Sequence, residues 1–157
     1  DLIHSEEVVQ TALGAVAKLI RERLADKNPL VLCVMSGGVI FCGQLLPKLD
    51  FPIDFDYLHA TRYGPETQGG KISWRMAPWI SVKERTVLVA VKEGLTRLGA
   101  AEVLLAVFAD KLNGKTKPIS ADFCGLTVPD RFVFGYGMDV DGAWRNLPAI
   151  YAMKESA

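Results

Sequence analysis

The chain has 157 residues, half of them hydrophobic, which suits one domain with a substantial core. Its 18 Lys plus Arg balance 18 Asp plus Glu, so the overall field attracts no polyanion. Nucleic acid drops out as a partner, and any affinity for phosphate has to come from a local site. No run is long enough to span a bilayer and no basic-plus-apolar signal opens the sequence at Asp1, so a soluble, cytoplasmic protein with no membrane partner is expected.

Three cysteines, Cys33, Cys42 and Cys124, form an odd set without a C-x-x-C pair, and the chain has two histidines. Disulfides and a zinc site are therefore not expected, and the thiols read as buried packing residues.

In chain order, Val8, Val9, Ala12, Ala15, Val16, Leu19, Ile20 and Leu24 recur at the helical period, predicting a helix from Ser5 to Ala25. Ser5 suits the cap and Glu6 and Glu7 the first turn, while Asn28-Pro29 ends the element. Pro29 to Met35 is a continuous apolar run, the pattern of a strand buried on both faces. Ser36-Gly37-Gly38 follows at once, and Val39 to Leu49 looks helical, so a strand, a glycine turn and a helix make half of a βα unit. Phe51 to Leu58 predicts a second strand. His59 to Ser73 is polar and glycine-rich, the composition of a mobile and often functional loop, with a disordered hairpin tip as the alternative. Ile72 to Ile80, Thr86 to Ala90 and Ala100 to Ala109 supply further strands, the last followed by polar Asp110 to Lys117.

One junction breaks the pattern. The buried-type strand ending at Ala90 runs without a turn signal into a helix-like stretch from Val91 to Gly99, although a parallel strand needs a loop before its crossover helix. With alternating strands and helices elsewhere, the chain reads as one α/β domain with a mainly parallel central sheet flanked by helices.

The most informative stretch is Asp122 to Asp139, continuing to Trp144 and Arg145. Strand-favouring Val128, Phe132, Val133 and Phe134 are interrupted by Pro129-Asp130 and by Gly135 and Gly137, the mark of bulges or close backbone approach. An aromatic ring, a carboxylate and a guanidinium within one short span suit a flat ring, a metal ion and an anion.

Asp122-Phe123-Cys124-Gly125 and Val128-Pro129-Asp130-Arg131-Phe132-Val133-Phe134-Gly135-Tyr136-Gly137-Met138-Asp139 closely resemble the C-terminal motif of hypoxanthine-guanine phosphoribosyltransferases. The likeness covers most of the chain. It implies the type I phosphoribosyltransferase fold, with a small hood from the N- and C-terminal segments and a flexible lid loop. It also implies transfer of ribose 5-phosphate from phosphoribosyl pyrophosphate to a 6-oxopurine, with Mg²⁺, releasing pyrophosphate.

By this resemblance Phe132 stacks on the purine, Val133 meets its edge through the backbone, Asp139 is the magnesium-associated carboxylate and Arg145 binds pyrophosphate. Met35-Ser36-Gly37-Gly38 matches the pyrophosphate loop, where backbone N–H groups would face the anion. Tyr63 corresponds to a residue of the lid that closes over the reacting ribose and excludes water. Without the resemblance, Phe132 reads as a core aromatic, Arg145 as a surface ion-pair partner and Ser36-Gly37-Gly38 as a tight turn.

Two departures stand out. Where the family has a lysine just before Asp-Phe-x-Gly, this chain has Ser120, and Lys117 is the candidate if Ile119 to Ala121 is an insertion. After Ala90 the family's paired acids and Asp-x-Gly-x-Thr ribose-phosphate loop are missing. The expectation is a single domain over residues 1–157 with a loop missing between Ala90 and Val91 that the full coding sequence carries, in preference to a true deletion. A purine salvage enzyme making IMP or GMP is the leading reading. A non-catalytic purine or nucleotide sensor on the same fold and an enzyme preferring xanthine are the alternatives, and the apolar 39–49 face suggests a homodimer or homotetramer.

Overall fold

Strand β1 (Leu2–His4) leads into helix α1 (Glu6–Leu24), which Ser5 caps by accepting a hydrogen bond from the Val8 amide on its hydroxyl, in a computed structural model describing residues 1–62, 72–89, 99–112, 114 and 120–154. The buried face of α1 is Val9, Leu13, Val16, Ala17, Ile20 and Leu24. This corrects the apolar set read from spacing: Val8, Ala15 and Leu19 are exposed, and Leu13 takes the central place. Each large side chain so buried contributes roughly 1.5–3 kcal/mol relative to exposure.

Strands β2 (Leu30–Val34), β3 (Asp54–Arg62), β4 (Ile72–Met76), β5 (Thr86–Val89), β6 (Glu102–Leu112) and β7 (Phe123–Pro129) form a sheet ordered β4-β3-β2-β5-β6-β7. Every pairing is parallel except β3 with β4. Helix α2 (Val39–Leu45) makes the crossover from β2 to β3 and tightens into a 3₁₀ turn over Leu46–Lys48, where Pro47 removes a donor. Alternate residues of the strands sort onto two faces. Val31, Leu88, Leu104 and Phe108 pack in one core cluster with α1 and α2, whereas Leu30, Leu32, Leu58, Val87 and Val103 pack on the other face with Val82.

Two strands outrun their sequence expectation. β3 continues to Arg62, and β6 continues through Asp110 and Lys111, which composition had assigned to a polar connection. The strand expected from Ile72 to Ile80 stops at Met76 before Ala77-Pro78. The segment after it is pinned by Asp56, a buried carboxylate on β3 that accepts from the Trp79 and Ile80 amides at 2.6 and 2.9 Å and from the Tyr57 amide at 2.8 Å.

A second, antiparallel sheet joins the two ends of the described chain, with β8 (Val133–Phe134) and β9 (Ile150–Ala152) in the order β1-β9-β8. Its two- and three-residue strands are too short to show a period in sequence. Asp122 ties the larger sheet together: its amide donates to the Leu105 carbonyl (2.9 Å) and its carboxylate accepts from the Leu105 amide (2.8 Å), docking the start of β7 onto β6.

The cysteine expectation needs correction. Cys33 is buried on β2 and Cys42 half-buried on α2, but Cys124 is exposed on edge strand β7, one residue out of phase with buried Phe123. Among the described residues no helix is long and apolar enough to cross a membrane. The helix-like stretch 91–99 falls, apart from residue 99, outside the described residues, as do Ala90 and Val91.

Candidate active site

From central β2 the chain proceeds to β3 on one side, while β5 occupies the other. The carboxyl ends of β2 and β5 thus flank a topological switch point, the place where open α/β sheets leave a crevice for ligands. The loop leaving β2 is Met35 to Gly38. Its Gly38 amide donates back to the Val34 carbonyl at 2.9 Å, and the Val39 amide donates to the Ser36 carbonyl at 3.2 Å. A side chain at Gly38 would press its Cβ to 2.8 Å from the Val34 oxygen, so glycine is required for this closure. With the Gly38 amide committed inside the turn, the exposed residues of this loop are Ser36 and Gly37.

The second component is the loop from Gly135 to Leu147. It folds back twice: the Tyr136 amide donates to the Leu147 carbonyl (2.8 Å) and the Gly137 amide to the Arg145 carbonyl (2.9 Å). Gly137 adopts φ +95°, and a Cβ there would lie 2.1 Å from the Gly37 carbonyl oxygen. The two loops thus meet backbone to backbone. Arg145 closes the junction, donating from Nη1 to the Gly137 carbonyl (2.6 Å) and from Nη2 to Asp139 Oδ1 (2.6 Å). The other oxygen of Asp139 accepts from the Gly142 amide at 2.8 Å. An added Cβ on Gly37 would sit 3.6 Å from Arg145 Nη1, so the guanidinium borders the first loop. Ser36, Gly37, Gly38, Asp139 and Arg145, far apart in sequence, therefore form one cluster.

The third component is a hydrophobic platform. Phe132 is 58% exposed and anchored by its carbonyl, which accepts from the Met153 amide at 2.9 Å. It is not a core aromatic. Val133 follows in β8, paired with Ala152. Beside them, Lys111 at the end of β6 donates from Nζ to the Arg131 carbonyl at 2.8 Å, which puts an ammonium group next to the backbone carrying Phe132. Sequence reading missed Lys111 because the end of β6 looked like a loop. The signal available was a lysine at the carboxyl end of a central strand.

Tyr136 was also overlooked as an individual residue. It is buried, its ring packs 4.5 Å from that of Phe108, which in turn lies 5.1 Å from Phe41, and burial pushes its phenol up to about 12. Behind the first loop the Cys33 and Cys42 thiols influence each other: the Cys42 thiol lowers the proton affinity of Cys33, while the Cys33 thiol, together with burial, raises that of Cys42. Tyr63 and Lys117 lie outside the described residues.

Among the described residues no three His, Cys, Asp or Glu side chains cluster as a dedicated metal cage. Asp139 supplies hard carboxylate oxygen at the rim of the junction, which fits an ion such as Mg²⁺ that keeps waters and arrives with substrate phosphates.

The family model for the phosphoribosyl transferase domain matches residues 3–141, spanning the sheet, both helices and the Gly37–Gly137 junction. The chain belongs to the phosphoribosyl transferase family. This phosphoribosyl transferase is 29% identical to the hypoxanthine-guanine-xanthine phosphoribosyltransferase of Tritrichomonas foetus over 168 aligned residues, covering 99% of this chain and 92% of the relative. It is likewise 29% identical to the hypoxanthine-guanine phosphoribosyltransferase of Bacillus subtilis strain 168, with 96% and 91% covered. A solved hypoxanthine-guanine-xanthine phosphoribosyltransferase shares its fold with a TM-score of 0.88 at 27% identity, over 99% of this chain and 97% of the other. The mainly parallel central sheet flanked by helices, expected from the resemblance, is thus that of the family. The alignment with the T. foetus enzyme is longer than the 157 residues of this phosphoribosyl transferase, so the relative carries residues with no counterpart here.

Proposed function

We propose that the protein is a purine salvage phosphoribosyltransferase that joins ribose 5-phosphate from phosphoribosyl pyrophosphate to hypoxanthine or guanine, giving IMP or GMP and pyrophosphate. One observation carries the reading: the Gly37–Gly137 contact gathers Ser36, Gly37, Asp139 and Arg145 at the switch point of the sheet. Relatives named hypoxanthine-guanine and hypoxanthine-guanine-xanthine phosphoribosyltransferases support the substrate class. Exposed Phe132 offers a ring face for a purine, and it stands five positions along the chain from Gly137, a reach of at most about 18 Å.

In this reading the amides of Ser36 and Gly37 and the guanidinium of Arg145 hold the pyrophosphate, whose leaving is eased by fixed positive charge in place already. Val133 presents backbone to the base edge, and Lys111 donates to the 6-oxo group. Lys111 is preferred to Lys117 for this role because it already stands against the Arg131 carbonyl, adjacent to the ring platform. Asp139 would hold Mg²⁺, which supplies charge neutralisation on the phosphates when bound. Tyr63 belongs to the lid that keeps water from the sugar. The family's general base lies in the Asp-x-Gly-x-Thr loop, and we place that loop between Ala90 and Val91 in the full coding sequence; the surplus aligned residues of the relative support this.

A homodimer is the proposed assembly. Phe55 and Tyr57 on β3, Met76 on β4 and Val39 on α2 are exposed although large and apolar. Tyr57→Glu would then shift the mass in solution toward the monomer.

The direct test is pyrophosphate release by protein from the full gene, with phosphoribosyl pyrophosphate and each of hypoxanthine, guanine and xanthine. Purine-dependent release supports the enzyme and ranks the three bases. Purine binding without release overturns it in favour of a sensor on the same fold.

A further inference from the structure

Tyr136 and Gln44 stand 92 positions apart, yet the Tyr136 hydroxyl donates to Gln44 Oε1 at 2.8 Å, and the same oxygen accepts from Gln10 Nε2 at 2.9 Å. Each partner is attached to one half of the junction described above. Gln44 lies near the end of α2, the short helix that leaves directly from Gly38. Tyr136 is the residue before Gly137. The loops themselves touch through bare backbone, Gly37 against Gly137, with no side chain to lock their spacing at that point.

Tyr136 also holds φ +49°, a conformation that bulky residues adopt when their surroundings over-determine them. Three anchors do so here: the amide bond to Leu147, the ring on Phe108 and the hydroxyl on Gln44. Two of these concern the tyrosine's own loop and the sheet. The third reaches across to the helix that carries the other loop, and Gln10 fixes that helix residue in turn from α1.

We infer that Gln44 and Tyr136 are positioning residues, a strut that sets the separation of the 35–38 and 135–145 loops and thereby the affinity for the pyrophosphate end of the second substrate, which neither touches. The inference rests on the reading of this junction as the pyrophosphate site. It assigns the strut no part in holding the base, because Phe132 and Val133 take their support from β8, β9 and Met153 instead. A residue that merely fills the core would lower stability and disturb both substrates together.

Tyr136→Phe keeps the ring on Phe108 and deletes the hydroxyl; Gln44→Met keeps the helix and deletes the acceptor. Loss of one hydrogen bond between otherwise intact elements corresponds to about a three- to tenfold weakening. Calorimetric titration with magnesium pyrophosphate is therefore expected to show each variant binding about three- to tenfold more weakly. KM for phosphoribosyl pyrophosphate should rise by the same factor, with KM for hypoxanthine within about twofold of the parent. The double variant should be no weaker than either single one, as befits two ends of one strut. Unchanged pyrophosphate affinity, or both KM values rising together, overturns the inference. Parent protein that binds magnesium pyrophosphate without turning over any purine overturns the proposed function instead, and the strut is then judged on the pyrophosphate affinities alone. Parent protein that fails to bind magnesium pyrophosphate overturns both.

Discussion

Gly137 and Gly37 approach so closely that a single methyl on Gly137 would fall 2.1 Å from the Gly37 carbonyl oxygen. The reverse is not true: a methyl on Gly37 would meet its nearest neighbours, Arg145 Nη1 and the Gly137 oxygen, at 3.6 and 3.7 Å, ordinary contact. The two glycines should therefore respond differently to alanine. Gly137→Ala combines a backbone clash with φ +95° and is expected to cost more than about 2 kcal/mol of stability in denaturant unfolding. Gly37→Ala should fold within about 0.5 kcal/mol of the parent but lose affinity for phosphoribosyl pyrophosphate, because its methyl enters the space beside Arg145.

Arg145 holds two acceptors at once, the Gly137 carbonyl and Asp139, each at 2.6 Å. A lysine keeps the charge and loses the fork that spans them. Arg145→Lys is expected to lower kcat/KM for phosphoribosyl pyrophosphate by about ten- to a hundredfold, close to the loss in Arg145→Ala. Asp139→Asn leaves the amide acceptor for Gly142 and removes the charge, so its defect should be greatest at low Mg²⁺ and diminish as Mg²⁺ is raised. Steady-state kinetics over a magnesium series would check both.

The exposed ring of Phe132 separates binding from folding. Phe132→Ala removes little buried surface, so the melting temperature should barely move while KM for hypoxanthine rises about tenfold or more. Lysine variants add a second comparison. Lys111→Gln is expected to reduce kcat/KM for 6-oxopurines by about tenfold or more, and Lys117→Gln to leave it within about twofold; the opposite ranking would move the base-edge contact to Lys117.

Tyr136 gives the fold a signature at high pH. Burial lifts its phenol from 10.0 to about 12, so the folded protein holds this proton more tightly than the unfolded chain does. The associated stability is complete below pH 10 and drains away as pH rises toward 12. Unfolding free energies measured across that window should fall in the parent and fall less steeply in Tyr136→Phe.

Helix α1 and the buried strands were legible because the helix obeys a period of 3.6, the strands are continuous apolar runs, and strong signals bound them, Ser5 and Asn28-Pro29 among them. Phe132, Asp139 and Arg145 could be singled out from their motif. The meeting of Gly137 and Arg145 with Gly37 could not, since that depends on a topology which brings the loop after β2 against the chain that follows β7. Lys111 was hidden because Asp110 and Lys111 are polar residues at the end of β6, where the strand leaves the core. Cys124 misled for a related reason: its apolar neighbours suggested burial, but it sits on an edge strand facing away from α1. Asp56 looked like an ordinary alternation residue, whereas its three amide donors lie mostly on a segment more than twenty residues later.

The β1-β9-β8 sheet pairs Leu2 with Tyr151, and Val133 of the ring platform hangs from the same three strands. Such pairings enclose nearly the whole chain in one loop, so their closure entropy is large and their reward comes after the central sheet has formed. This small sheet should be the last part to assemble and the first to open under native conditions. The amides of Val133, Phe134 and Ile150 to Ala152 should then exchange with deuterium well before those of β2 and β5, and saturating purine should slow them. Base recognition in this protein would thus be linked to a local folding equilibrium, with the purine acting as the clasp that holds the two ends of the chain together.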